Sequence, residues 1–126
     1  MTNQTTEIKA TFDATTPEGM MRVFNARNGA SISMKNLQDG HEIDAVAVLQ
    51  YPETTTEYNQ EGQTVTVTTI FAEDGTSYSS ISDPVAKAAS GLIDMFEALK
   101  VKKLKVKVVK GKSSRGQDFL NLQISL

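Results

Sequence analysis

The sequence predicts an all-β domain that also contains two helices. Segments that alternate apolar with polar residues, many of them β-branched, recur at residues 43–51, 63–71, 77–82, 102–110 and 119–126. Two other segments begin with helix-capping residues and proline, near residues 15 and 83. A chain of 126 residues has the size of one domain. We expect a flexible segment over residues 1–14 and one folded domain over residues 15–126.

The first helix is predicted from its two ends. A threonine cap, a proline in the first turn and an early acid occur together in Thr15-Thr16-Pro17-Glu18. The helix ends at Asn28-Gly29, because both residues tolerate a positive φ. We expect Phe24, on its apolar face, to lie in the core.

The first three predicted strands differ in how clearly they alternate. In the first, Ile43, Ala45, Ala47 and Leu49 share one face, and the other face is also partly apolar, so that the N-terminal helix is a candidate cover. The second alternates valine with threonine over residues 63–71. A turn at residues 73–76 leads into the third strand, where we expect Ile81 in the core and Tyr78 facing outward.

A second helix and two further strands complete the prediction. The helix has Asp83 as its cap and Pro84 in its first turn. Its apolar stripe comprises Val85, Ala89, Leu92, Phe96 and Leu99. In the fourth strand lysines alternate with Leu104, Val106 and Val108. In the fifth strand, leucine and isoleucine at residues 120, 122, 124 and 126 lie opposite Phe119.

The order of these elements predicts a known type of barrel. A helix between the third and fourth strands of a five-stranded barrel, in the order β-β-β-α-β-β, is the arrangement of the OB fold. We therefore expect a five-stranded OB-fold barrel preceded by a short N-terminal helix. An open α+β sheet with the helix on one face is the alternative.

Composition and charge limit the classes of function. Cysteine is absent, which excludes disulfides and thiolate chemistry, and no apolar run is long enough for a membrane span. The start of the chain lacks the features of a signal peptide, so that we expect a cytoplasmic protein. Residues 1–99 carry five basic and 14 acidic residues (net −9), whereas residues 100–126 carry eight basic and one acidic residue (net +7). Such a local basic segment is typical either of a binding groove or of a solvated lysine-rich face.

Three patterns that resemble catalytic or metal sites fail on inspection. Gly111-Lys112-Ser113 lacks the glycine of a phosphate-binding loop, since Val106 occupies that position, and a strand follows it instead of a helix. His41, the single histidine, has carboxylates nearby that an alternating strand would point to opposite faces. No serine has a spacing that fixes a catalytic partner. We expect no enzyme activity, no metal and no cofactor.

Aromatic and basic residues instead converge on the cleft that OB folds use for nucleic acids. A groove of positive charge follows the phosphates of a single strand, and aromatic faces stack its bases. In OB folds the face of strands two and three and the loops between strands one and two and between four and five form this cleft. The predicted nucleic-acid-binding residues are Tyr51, Tyr58, Phe71, Tyr78, Lys103, Lys105, Lys107, Lys110, Lys112, Arg115 and Phe119.

Two observations weigh against parts of this cleft. Phe71 continues the register of Val65 and Val67, so that a core position is equally compatible with its place in the strand. Three glutamates at residues 53, 57 and 61 lie in the loop that holds Tyr58, and they would repel phosphate.

Two segments resemble a known family. The sequences IFAEDGTSYSSIS, at residues 70–82, and KGKSSRGQDFLNLQI, at residues 110–124, resemble small single-stranded DNA-binding proteins encoded by phages and plasmids of Gram-positive bacteria. The likeness runs from about Met20 to the end of the chain. It implies an OB fold, sequence-tolerant binding of single strands in replication or recombination, no catalysis, and a role for Tyr78, Lys110, Lys112, Arg115 and Phe119.

The leading hypothesis is therefore a single-stranded DNA-binding protein of a phage or mobile element, in the host cytoplasm, with RNA as an alternative ligand and a homo-oligomer left open. A protein-interaction or virion structural module, whose aromatic residues form a subunit interface, is the alternative from another class. A third hypothesis is an oligosaccharide-binding OB fold. Steep salt dependence of oligonucleotide binding separates the first hypothesis from the other two, because only phosphate contacts release counterions.

Overall fold

The computed structural model describes residues 8–29, 31–55, 63–112, 114–116 and 118–125. Within them, no helix is both long and apolar enough to cross a membrane. In chain order the elements are strand β1 (Lys9–Ala10), helix α1 (Pro17–Arg27), strand β2 (Ile32–Ser33), a short 3-10 helix (Met34–Asn36), strands β3 (Glu42–Thr55), β4 (Gln63–Ala72) and β5 (Ser77–Ser80), helix α2 (Asp83–Leu99), and strands β6 (Leu104–Lys112) and β7 (Asp118–Ile124).

The strands form one mixed sheet in the order β2-β5-β4-β3-β6-β7, with β1 paired to β3. All pairs are antiparallel except β2 with β5. A mostly-β chain with two helices is therefore confirmed. Strands β1 and β2 are absent from the prediction because two residues are too few to produce an alternating pattern. Residues 8–14, for which the sequence predicts flexibility, contain β1, and the Thr11 amide donates to the Val48 carbonyl at 3.0 Å.

The sheet curls around α2. The main core combines α2 residues Val85, Ala89, Leu92 and Phe96 with buried residues of β3 to β7 and Met34 of the 3-10 helix. Tyr78 of β5 and Leu122 of β7, from strands far apart in the sheet order, both belong to this core. Two details of the α2 prediction are wrong. Ser82 is the cap, one residue before Asp83, and Leu99 is exposed at the last turn.

A β-bulge divides β3 and creates a second core. The register against β4 shifts between Ala45 and Ala47. One extra residue reverses the alternation of side chains, so that Ile43 and Ala45 face α2 before the bulge and Val48 does so after it. Leu49 consequently lies in a second cluster on the opposite face of the sheet. The predicted single face of Ile43, Ala45, Ala47 and Leu49 is therefore wrong beyond the bulge.

Helix α1 covers this second face of the sheet. Ala26 is buried against it and Val23 packs on the cluster. Phe24 is 65 % exposed, so that its predicted core position is wrong. The reason is the helical period, since one residue after Val23 is a rotation of about 100° away from the face that contacts the sheet.

Tyr78 and Ile81 have exchanged their predicted environments. Tyr78 is 9 % exposed in the main core, opposite Ile70 on β4, and its ring lies edge-on to His41 with centroids 5.7 Å apart. Ile81 is 60 % exposed. Because β5 ends at Ser80, Ile81 lies in the link to α2, where the strand alternation used in the prediction no longer applies.

Candidate nucleic-acid interface

A cleft of about 990 Å³ lies between the 3-10 helix and the β6–β7 hairpin. One wall is formed by residues 35–39, the other by residues 110–112 and 118–120, and Ser82 and Pro84 at the start of α2 complete it. The cleft thus brings together Lys110, Lys112 and Phe119, three of the predicted site residues, with Lys35 on the opposite wall. This surface is the candidate nucleic-acid interface.

Hydrogen bonds from Lys110 link the two walls of the cleft. Its ammonium group donates to the main-chain carbonyls of Lys35 at 2.7 Å and Leu37 at 2.8 Å. Its backbone amide donates to Asp39 Oδ1 at 2.8 Å. These bonds pin residues 35–39 to β6. Lys110 therefore positions the Lys35 wall, and its own charge is less available to a ligand than the sequence suggests.

Lys112 has an exposed carboxylate as its partner. Its Nζ donates to Asp118 Oδ1 at 2.8 Å across the hairpin, and both side chains are largely exposed. This hydrogen bond and the Lys112 charge lower the pKa of Asp118 below the usual range. Exposed pairs of this kind contribute little to stability and exchange easily. A phosphate can therefore compete with Asp118 for Lys112.

Phe119 is the exposed aromatic residue of the cleft. It is 43 % exposed and lies directly opposite Gly111 in the β6–β7 register. A methyl group built on Gly111 would lie 2.9 Å from Phe119 Cζ, so that the absence of a side chain at Gly111 makes room for the ring. The outer end of the Phe119 ring thus lies close to the backbone of β6 at Gly111, which limits the positions that the ring can take. The outward position predicted for Phe119 is confirmed.

The lysines of the first half of β6 lie outside the cleft, on a face that also carries acids. Lys105 is paired in register with Asp44, and Lys107 with Glu42. Lys103 forms a 3.1 Å ion pair with Glu73, and this pair raises the pKa of Lys103. The predicted basic stripe on this strand is therefore largely balanced by carboxylates, which reduces its attraction for phosphate.

The remaining predicted residues are distributed over three places. Tyr51 is buried in the cluster beneath α1, where burial raises its pKa, and Phe71 packs against the same cluster. Tyr78 is in the main core, so that its predicted outward position is wrong. Tyr58 lies outside the described residues. Arg115 is exposed in the turn between β6 and β7.

Sequence reasoning missed Lys35 and the 3-10 helix that carries it. A three-residue 3-10 helix is too short for a periodic pattern, and Lys35 is an isolated basic residue in an acidic part of the chain. The glycines nearby, Gly29 and Gly40, do not indicate that residues 35–39 reach across to β6.

The arrangement can bind a polyanion, and nothing in the described residues offers a metal site. No group of three or more histidine and acidic side chains in that part of the chain could hold a metal ion. The cleft instead combines exposed ammonium groups, an exposed ring and an apolar floor. These are the components that bind single-stranded nucleic acids without sequence specificity.

Comparison with known proteins decides the family. A model of the family described as "Phage Single-stranded DNA-binding protein" matches residues 2–125. The chain belongs to this family. The single-stranded DNA-binding proteins of Bacillus phages PZA and phi29 are each 50 % identical to it over 119 residues, which is 94 % of this chain and 95 % of each relative. That of Bacillus phage B103 is 45 % identical over 118 residues, covering 94 % and 96 % of the two chains.

Membership of the phage single-stranded DNA-binding protein family confirms the resemblance seen in the sequence. The family is described by a binding activity and not by a catalytic one. No solved structure matches the chain. The match covers both walls of the cleft, residues 35–39 and residues 110–112 with 118–120.

Proposed function

We propose that this protein binds single-stranded DNA in the cleft between the 3-10 helix and the β6–β7 hairpin. It coats or protects single strands, without strong sequence preference, during phage replication or recombination in the host cytoplasm. The observation that carries this proposal is that the exposed Phe119 lines the same cleft as two basic residues, Lys112 on its own wall and Lys35 on the opposite wall. The names of the Bacillus phage relatives support the same ligand.

Each group in the cleft has a distinct part in this proposal. Lys35 and Lys112 contact phosphates, and Phe119 stacks a base. Lys110 fixes the distance between the walls. Phosphate contacts and stacking do not depend on the identity of the base, which agrees with sequence-tolerant binding.

We further propose that the curled sheet is an OB-type barrel. In support of this, α2 lies between β5 and β6 in the chain, in agreement with the chain order β-β-β-α-β-β of the OB fold, and strand β3 pairs with both β4 and β6. In this fold the loop between the fourth and fifth strands borders the binding cleft, and here the ends of β6 and β7 that this loop joins line the cleft.

A titration of the protein with a labelled thymidine oligomer tests the proposed ligand. Affinity is measured at low and at physiological salt, with a uridine oligomer and a DNA duplex as comparisons. We expect tight binding to the thymidine oligomer, and the logarithm of the association constant should fall linearly with the logarithm of the salt concentration. Binding to the duplex should be weaker. Absence of binding to the oligomer at low salt would contradict the proposal and favour a protein-interaction module.

A further inference from the structure

We propose that Arg22 and Arg27 of α1 form a second contact surface for the single strand, in which each guanidinium is backed by an aromatic ring and stacks a base on its outer side. The proposal rests on the proposed function and adds a site on the opposite side of the sheet from α2. It is carried by the position of these two arginines over the aromatic residues of the second cluster.

The two guanidinium groups lie over aromatic rings. Arg22 Cζ is 5.3 Å from the centre of the Phe12 ring and 5.5 Å from that of Phe71. Arg27 Cζ is 5.0 Å from the centre of the Tyr51 ring. Phe12 and Phe71 also contact each other edge to face, with centroids 5.9 Å apart. The rings hold both guanidinium groups in place from below.

Arg22 and Arg27 lie over two of the residues that the sequence predicts as base-stacking residues, Tyr51 and Phe71. The sequence predicts base stacking for Tyr51 and, with a core position as an equal alternative, for Phe71, but α1 and residues 8–14 cover this face of the sheet. The arginines occupy the places over Tyr51 and Phe71 that bases would take. A guanidinium plane is itself a platform on which bases stack, and it adds a positive charge near the phosphates.

Both arginines are exposed. In the part of the chain that the structure describes, the ion pairs between side chains are Lys103–Glu73 and Lys112–Asp118, and neither includes Arg22 or Arg27.

Chemical protection of the arginines tests the proposal directly. The chain has three arginines, and a dicarbonyl reagent that modifies guanidinium groups can be followed at each by mass spectrometry. We expect a saturating thymidine oligomer to protect Arg22 and Arg27. Equal modification of both residues with and without oligomer, while the oligomer remains bound, would overturn the inference but leave the proposed function intact. Failure of the unmodified protein to bind the oligomer would instead contradict the proposed function.

Substitution by lysine separates stacking from charge. The Arg22→Lys/Arg27→Lys variant keeps both charges and the aliphatic stems but loses the planar groups. We expect each of the two substitutions to lower the affinity for the oligomer about two- to fivefold. The dependence of the affinity on salt concentration should not change. Lys87→Ala, an exposed residue of α2, is the control and should bind as the parent does. Parental affinity of the double lysine variant would overturn stacking on the arginines.

Discussion

The ammonium group of Lys110 donates a 2.7 Å hydrogen bond to the main-chain carbonyl of Lys35, so that one basic residue of the cleft holds the backbone of another. A second bond, to the Leu37 carbonyl, fixes the same segment. The width of the cleft therefore depends on Lys110, whose ammonium group is occupied by these two carbonyls.

Replacing Lys110 with Met should weaken this link. The variant keeps the length of the side chain but removes its donors, and we expect it to lower the free energy of unfolding by about 1 kcal/mol. Single-strand affinity should fall because Lys35 loses its support. Denaturant unfolding and an oligomer titration measure the two effects. The variant could instead be as stable as the parent, with the slope of the logarithm of affinity against the logarithm of salt concentration reduced by ~0.7. That result would mean that Lys110 contacts a phosphate directly.

Lys112 should contribute one phosphate contact. We expect Lys112→Ala to reduce the salt slope of single-strand binding by ~0.7 and to leave stability nearly unchanged, because its ion pair is exposed. Lys105→Ala, on the face shared with acids, is the matched control. If Lys105→Ala reduces the salt dependence of binding more than Lys112→Ala does, the interface lies on the first half of β6 instead.

Asp118 should act as a competitor for the ligand. Its pKa is lowered by Lys112, so that its contribution to stability is present above the ordinary carboxyl pKa and disappears as pH falls through the lowered value. Protonation releases Lys112, and binding should then tighten at acidic pH. We expect Asp118→Asn to bind more tightly than the parent at neutral pH and to lose this part of the pH dependence. Weaker binding by Asp118→Asn would show that the carboxylate assists the ligand.

Phe119 should stack a base without supporting the core. We expect Phe119→Ala to cost ~1–3 kcal/mol of binding free energy, with little change in melting temperature. Phe119→Trp should retain most of the affinity, because it keeps an aromatic face. A Gly111→Ala variant should also bind weakly, since its methyl group displaces the ring. If Phe119→Ala binds the oligomer as tightly as the parent protein does, Phe119 does not stack a base.

Tyr78 should behave as a core residue. Because its ring packs among Ile70, Val85 and other residues of the main core, we expect Tyr78→Ala to lower the free energy of unfolding by ~3–5 kcal/mol. Tyr78→Phe keeps the ring and should fold and bind as the parent does. Loss of binding in a stably folded Tyr78→Phe variant would give its hydroxyl group a role at the interface.

The parts of the fold with strong periodicity were predictable from sequence. The alternation of Val106 and Val108 with lysines, and of Leu122 with Phe119, indicates the correct inner face of β6 and β7. The α2 stripe likewise identifies Val85 to Phe96 as core. In each case many residues repeat one pattern, so that a single exception does not change the outcome.

Other features depend on contacts that leave no local pattern. The bulge near Val46 reverses the faces of β3, and nothing in that apolar run marks the extra residue. The Lys110 bonds to the 3-10 helix join residues more than seventy positions apart. The coverage of Tyr51 by α1 is likewise a tertiary contact, which explains why an aromatic residue beside a predicted binding loop is buried.

Amide chemical-shift mapping with a thymidine oligomer tests the central claim most directly. On addition of the oligomer to isotope-labelled protein, we predict that the largest shift changes in the sheet and its connections fall on residues 35–39, 110–112 and 118–120, which form the two walls of the cleft. Changes confined to the lysines of the first half of β6 or to the exposed face of α2, with the cleft residues unmoved, would contradict the account.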